Sequence, residues 1–345
     1  MICLGMIAVS GTNGHSESKR DRRQIEEATR VQIFLDNSNF GPGKIDGKDG
    51  EFTRKALMLL RRSKGEAYSV SEHSKTSFDT TDLNLAGIDP VFTIYVVSKE
   101  DIENVGELPS DVAAQAKLKW LPYRSVAEAV AEKFHCDINF LKELNPTITE
   151  KLKEGDEVTV PNVKPFELSA VKALKPGSDA AGIVANELGE QDEKGQSQTG
   201  EAAEEVKEKT PLLSLYISTK EKILEVHDGE KLVAAFPVTV GSQDTASPIG
   251  HWTVKAIAKL PNFRYDLKML NEGERGSSFY MLPPGPNNPA GVIWIALDKK
   301  GIGIHGASDP DSIGRSASHG CIRLANWDVT KLAGMVKPGG SVVVE

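Results

Sequence analysis

The chain has 345 residues, of which 39% are hydrophobic and 26% charged, and its formal net charge is −8. That length calls for two or three domains, and the composition is that of soluble globular material. The acidic balance excludes nucleic acid as the main partner, since phosphate binding needs a basic surface.

The excess acid lies upstream, because residues 211–345 carry 14 basic and 13 acidic side chains. Residues 1–9 are apolar, and Ala8-Val9-Ser10 has the form of a cleavage site. The tail 1–23 therefore reads as an incomplete or truncated secretory signal, which would place the chain in the periplasm or cell envelope. No run reaches the roughly 20 apolar residues of a membrane span. Ile25, Ala28, Val31, Gln32 and Leu35 fall at helical spacing. "GPGKIDGKDG", 41–50, ends that pattern with turn residues. A second helix, Thr53 to Arg62, gathers Ala56, Leu57 and Leu60 on one face. Residues 24–62 are thus a small α-helical unit, and 63–90 read as a linker.

"VFTIYVV", 91–97, is β-rich. Ser125, with Glu128 three residues on, predicts a capping box for a helix over 126–134. A second helix follows at about 137–144, then a turn and strand in "LKEGDEVTVPN", 152–162. With a strand at 119–125, "KWLPYRS", this becomes a small βααβ module with its core at 119–163. Phe134, Cys136 and Leu141 belong in that core. Residues 186–210 hold eight acidic and three basic side chains and too little apolar surface to offset the entropy of ordering. They suggest an acidic flexible linker over 164–210. Beyond Pro211, short β-like runs punctuated by Gly, Pro, Asn and Asp predict a mainly-β domain, a sandwich or barrel. Its one helix, 326–336, would be capped by Asn326 or Asp328.

Chemistry concentrates near the end. The cysteines are Cys3, Cys136 and Cys321, and their odd number leaves Cys321 a free thiol. In "GIGIHG", 301–306, alternation puts Ile302 and Ile304 on one strand face and His305 on the other. In "CIRLAN", Ile322 and Leu324 oppose Cys321 and Arg323. Thiol, imidazole and guanidinium can therefore share one polar surface. A free cysteine has a pKa of about 8.5 and needs a base or a positive field to react near neutrality. His305, His319 and Cys321 could instead supply three ligands to zinc, or the thiol could be a buried structural one. His305 can approach the thiol from another strand, with room left by Gly306. His319 is placed to shape the turn, and the amides of His319, Gly320 and Cys321 suit an oxyanion site.

"IHGASDPDSIGRSASHGCIRL", 304–324, strongly resembles the active-site signature of the L,D-transpeptidase catalytic domain. "FPVTVG", "SPIGHWTV", "LPPGPNNPAGVIWIAL" and the final "GGSVVVE" extend the likeness over about 211–345. The resemblance implies Cys321 as nucleophile and His305 as general base, and places His319, Ser318 and Gly320 around the oxyanion pocket. Arg323 would steady a substrate carboxylate. No cofactor or metal is implied. The family's reaction is peptidoglycan transpeptidation: a tetrapeptide stem acylates the cysteine, D-alanine leaves, and an amine takes the acyl group. Water as acceptor would make the site an L,D-carboxypeptidase or endopeptidase, and a degenerate site would leave a non-catalytic peptidoglycan-binding protein. Upstream, "VQIFLD", "PGKIDG" and "TRKALMLLRR" resemble a peptidoglycan-binding helical domain. The "LNP", "GD" and "VPN" of 123–162 resemble a LysM module, which binds glycan strands. On this reading the acidic linker lets the catalytic domain reach peptide stems while the front end holds the wall.

Overall fold

The structure, a computed structural model, describes residues 22–66, 80, 83–147, 151–174, 184–185, 212–242, 245–272, 275–316 and 318–345. The N-terminal signal-like tail with Cys3, and the acidic stretch 186–210, lie outside them.

Helices α1 (Arg22–Asn37) and α2 (Glu51–Ser63) bury Val31, Leu35, Ala56, Leu57 and Leu60 in one cluster. The next unit contains β1 (Phe92–Val96), α3 (Lys99–Glu103), α4 (Val112–Gln115), α5 (Val126–Lys133), α6 (Ile138–Leu144), β2 (Glu157–Pro161) and α7 (Leu168–Ala173). β1 and β2 pair antiparallel, with Phe92 opposite Pro161. Their inner residues pack with Val130 of α5, Phe134 and Cys136 of the turn after it, and Phe140 and Leu141 of α6.

Two expectations fail here. Residues 119–125 form no strand; Tyr123 makes a single bridge to Val105. Pro122 has no N–H to give to a ladder, and the Leu121 amide instead donates to Pro284 O at 2.9 Å. The strand that opens the unit is β1, so its sheet begins at 92. Nor are residues 164–174 linker. Phe166, Leu168 and Val171 are buried against the core of the C-terminal half, because three large apolar side chains gain more from burial than the short segment loses in entropy.

The C-terminal half contains β3 (Val184–Ala185), β4 (Ser214–Ser218), β5 (Ile223–Asp228), β6 (Lys231–Pro237), β7 (Gly250–Lys259), β8 (Asn262–Tyr265), α8 (Leu267–Glu272), β9 (Tyr280–Leu282), β10 (Ile293–Leu297), β11 (Gly303–His305), β12 (Ile322–Arg323), α9 (Asn326–Met335) and β13 (Ser341–Val344). Eight strands form one sheet in the order β12-β11-β10-β7-β13-β4-β5-β6, and β3, β8 and β9 form a smaller one. β7 joins two arms: its first four residues pair with β13 and its later ones with β10. Thr239, just past β6, exchanges both backbone hydrogen bonds with Arg323 of β12 at 2.9 Å. The expected sandwich or barrel is therefore an eight-stranded sheet whose arms curl around one core and meet at their ends, with the three-stranded sheet beside it. Leu215, Ile217, Val226, Ile257, Ile295, Ile304 and Ile322 fill that core together with Trp327 and Leu332 of α9. The N-cap of α9 is Ala325, without a side-chain cap bond. Neither Asn326 nor Asp328 caps the helix, because both lie inside its first turn.

The three units are packed together. Gly41 N donates to Ala235 O (2.8 Å) and Ala235 N to Asn39 O (3.0 Å), so the helical unit makes a single parallel bridge to β6 at Phe40. Asp36 of α1 sits between His135 Nδ1 at 3.1 Å and Lys331 Nζ of α9 at 2.9 Å. Lys44 pairs with both Asp137 and Asp311. Among the described residues, the units that the linker was expected to separate are in direct contact. No described helix is long and apolar enough to cross a membrane.

Candidate active site

β11 and β12 run parallel, with Ile304 beside Ile322 and His305 beside Arg323. Register partners in a parallel pair face the same side, and side chains alternate along each strand. Ile304 and Ile322 point into the core, both with no exposed surface. His305, Arg323 and Cys321 therefore share the opposite face. Gly303, one strand alternation before His305, brings only backbone beside the thiol.

His305 is 4% exposed. Its ring stacks on Trp294 of β10, with centroids 5.0 Å apart and planes 17° from parallel. Nδ1 lies 2.6 Å from Gly306 O. A carbonyl only accepts, so Nδ1 carries the hydrogen and Nε2 keeps the lone pair. Burial, then the Arg323 charge, hold the imidazole down to about 3 against the Gly306 and Ala290 carbonyls. It is a neutral base at any ordinary pH.

Cys321 is half-buried, and its Sγ lies 3.8 Å from Gly301 O, to which the thiol can donate. Burial pushes the thiol up, while a backbone hydrogen bond from Gly303 and the Arg323 charge oppose that. The resting pair is neutral thiol and neutral imidazole. Arg323 is the cation of the face, and its Nε is buried without a hydrogen-bond partner among the described residues.

The turn before Cys321 is held from two sides. Ser318 N donates to Val240 O at 2.8 Å, Ser242 N to Ser318 O at 3.1 Å, and Thr245 Oγ1 to Ser318 O at 2.9 Å. Ser318 Oγ donates to Cys321 O and accepts from Gly320 N at 3.2 Å. Gly320 has φ +104°, where a Cβ would strain the backbone. The Gly320 amide is thus already engaged, which removes it from the expected oxyanion set. Among the described residues the amides of His319 and Cys321 have no acceptor. His319 itself is exposed, and burial and Arg323 lower its pKa.

His305, Arg323 and Cys321 are brought together as alternation predicts, while His319 stands at the turn. Among the described residues, no group of three His, Cys, Asp or Glu side chains is gathered as for a metal. The sequence reading missed Trp294, which stacks on the imidazole, and Asn326, which supports its backbone. Alternation in "VIWIAL" separates Trp294 from the isoleucines, but only strand register places it beside His305.

Part of this chain is similar to known proteins. A Bacillus licheniformis protein named L,D-transpeptidase YkuD is 30% identical over 128 residues, 37% of this chain and 62% of that one. The Bacillus subtilis protein named L,D-transpeptidase YqjB is 34% identical over 119 residues, 33% and 60% of the two chains. The chain therefore spans about three fifths of these curated relatives' length. A solved L,D-transpeptidase 3 from Mycobacterium tuberculosis aligns at 19% identity and TM-score 0.31, over 39% and 60% of the chains, too distant to add to the sequence match. The stretch that carries the curled sheet, the turn and the thiol, residues 214–344, matches the family model of the L,D-transpeptidase catalytic domain.

Proposed function

We propose that this protein is a cell-wall L,D-transpeptidase with Cys321 as its nucleophile. The observation that carries this is the common face of Cys321, His305 and Arg323 on paired β11 and β12. The substrate is the tetrapeptide stem of peptidoglycan. As Sγ attacks the carbonyl carbon of the third stem residue, His305 Nε2 takes the thiol proton. Attack and proton transfer are coupled, since neither group ionises alone near neutrality. A carbon–sulfur bond forms, and the carbonyl becomes an oxyanion facing the amides of His319 and Cys321. Collapse breaks the carbon–nitrogen bond. The imidazolium returns its proton to the departing D-alanine amine, leaving a thioester. An acceptor amine then attacks, gives its proton to His305, and expels the sulfur as the new amide forms. One amide replaces another, so the bond energy is carried over. Arg323 steadies a substrate carboxylate and the developing thiolate. The helical unit and the β1–β2 module hold glycan strands, and the enzyme works in the periplasm or envelope.

The test is incubation of the full chain with purified tetrapeptide stems, with products read by mass spectrometry. Stem dimers and released D-alanine support transfer. Tripeptide alone would make the site an L,D-carboxypeptidase, and no Cys321 adduct with a carbapenem would make it a non-catalytic wall-binding protein. Full cross-linking by Cys321→Ala would end the cysteine mechanism.

A further inference from the structure

The backbone that orients His305 is held from outside the catalytic domain. Segment 118–125 of the upstream unit lies along loop 284–292. Asn287 N donates to Leu121 O at 3.3 Å, and Asn287 Nδ2 to Pro122 O at 2.7 Å. A Cβ on Gly285 would lie 2.2 Å from Leu121 O, so the approach is close.

Below this clamp sits Asn326, the first residue of α9, with no exposed surface. Its Oδ1 accepts from Val292 N at 3.1 Å. The same oxygen lies so near Gly306 and Gly291 that a Cβ on either would be 2.2 Å from it. Gly306 is the residue whose carbonyl holds His305 Nδ1. The other end of the Asn326 amide, Nδ2, donates to Glu132 Oε1 of α5 at 2.8 Å. Tyr123 hydrogen-bonds the same carboxylate. Glu132 is 6% exposed.

An asparagine amide has a donor end and an acceptor end, and a flip exchanges them. Glu132 Oε1 is the nearer acceptor of Nδ2, at 2.8 Å against 3.3 Å for Pro286 O, so it holds Nδ2 toward itself and Oδ1 toward Gly306. We propose that Glu132 is a positioning residue for His305: by fixing the Asn326 amide against Gly306, it makes the placement of the imidazole depend on the docked upstream unit. The inference rests on the reading of His305 as the base of acyl transfer. Glu132 touches neither thiol nor substrate.

The experiment uses the full chain labelled with 15N-histidine, with Glu132→Leu and Glu132→Gln. The His305 Nδ1 resonance is assigned by its loss in His305→Gln. Glu132→Leu removes the nearer acceptor of Asn326 Nδ2 and leaves it only Pro286 O at 3.3 Å. It is expected to shift that resonance and lower kcat for stem cross-linking about tenfold or more, with KM within about twofold. Glu132→Gln keeps a carbonyl acceptor for Nδ2 and should recover both readouts. An unmoved resonance and kcat in Glu132→Leu, or an equal loss in both variants, would overturn the proposal. Should Glu132→Leu fail to fold, Asn326→Ser is read by the same resonance, where a shift supports the proposal and its absence refutes it. If the wild-type protein cross-links nothing, the transfer reading fails, and the resonance still decides whether Glu132 positions the ring.

Discussion

Asp328, in the first turn of α9, has no exposed surface, and neither carboxylate oxygen has a hydrogen-bond partner among the described residues. Burial raises its pKa from 3.8 to about 8, Lys331 opposes that, and Asp36 adds to it. In the unfolded chain the carboxyl group ionises above 3.8, while in the folded one it keeps its proton to about 8. Stability from this group is therefore full below 3.8 and lost as pH rises to about 8. Between pH 6 and pH 8 the slope starts at about 1.4 kcal/mol per pH unit and falls by half as the folded group itself ionises, which gives roughly 2 kcal/mol. Asp328→Asn removes the titration and keeps the shape. The amide also lacks partners, but that cost does not change with pH and cancels from the comparison. Glu132, which burial raises to about 7, titrates alike in both chains. Urea unfolding followed by tryptophan fluorescence, with Trp327 adjacent as a probe, should show wild-type stability falling about 2 kcal/mol more than the variant's from pH 6 to pH 8. Parallel pH curves would refute the reading of Asp328 as a buried neutral acid.

Other outcomes follow from the site. His305→Gln should slow Cys321 acylation by a carbapenem about 10²- to 10⁴-fold, read as adduct mass against time, with the melting temperature little changed. Because His305 is held down to about 3, alkylation of Cys321 by iodoacetamide should show no plateau near pH 6 and should climb only as the thiol itself ionises. A thiolate–imidazolium pair would give that plateau. Gly306→Ala would press a Cβ to 2.2 Å from Asn326 Oδ1 and 3.0 Å from Gly291 Cα. Overpacking of this kind costs about 2–3 kcal/mol, visible in thermal melts, and activity should fall further than stability does.

The shared face of His305, Cys321 and Arg323 was legible because strand alternation has a period of two and both runs carry clear apolar partners. What alternation lacks is register, so Trp294 could not be placed on the imidazole. Gly320 looked like an oxyanion donor because its tight turn is legible. That Ser318 Oγ folds back onto its amide depends on a rotamer. In the strand placed at 119–125, "KWLPYRS", Pro122 is the contrary signal. Contacts between units were least legible. Glu132 sits among alanines in "VAEAVAEK" and reads as a solvent-facing acid, yet it is buried against α9. Lys44 and Asp36 likewise look like ordinary surface charges, and their partners are 93 to 295 residues away.

The bridge that Phe40 makes to Ala235 of β6 has a consequence for solubility. β6 ends the eight-strand sheet, and an uncovered outer strand invites pairing with another copy of the chain. Ile223, Leu232 and Ala235 of β5 and β6 share their apolar cluster with Phe40, Leu57 and Leu60. The helical unit thus shields the sheet from self-association. A catalytic fragment trimmed to 212–345 would lose that shield and present a sticky edge beside bare apolar side chains, so its aggregation would say nothing about whether its thiol is competent.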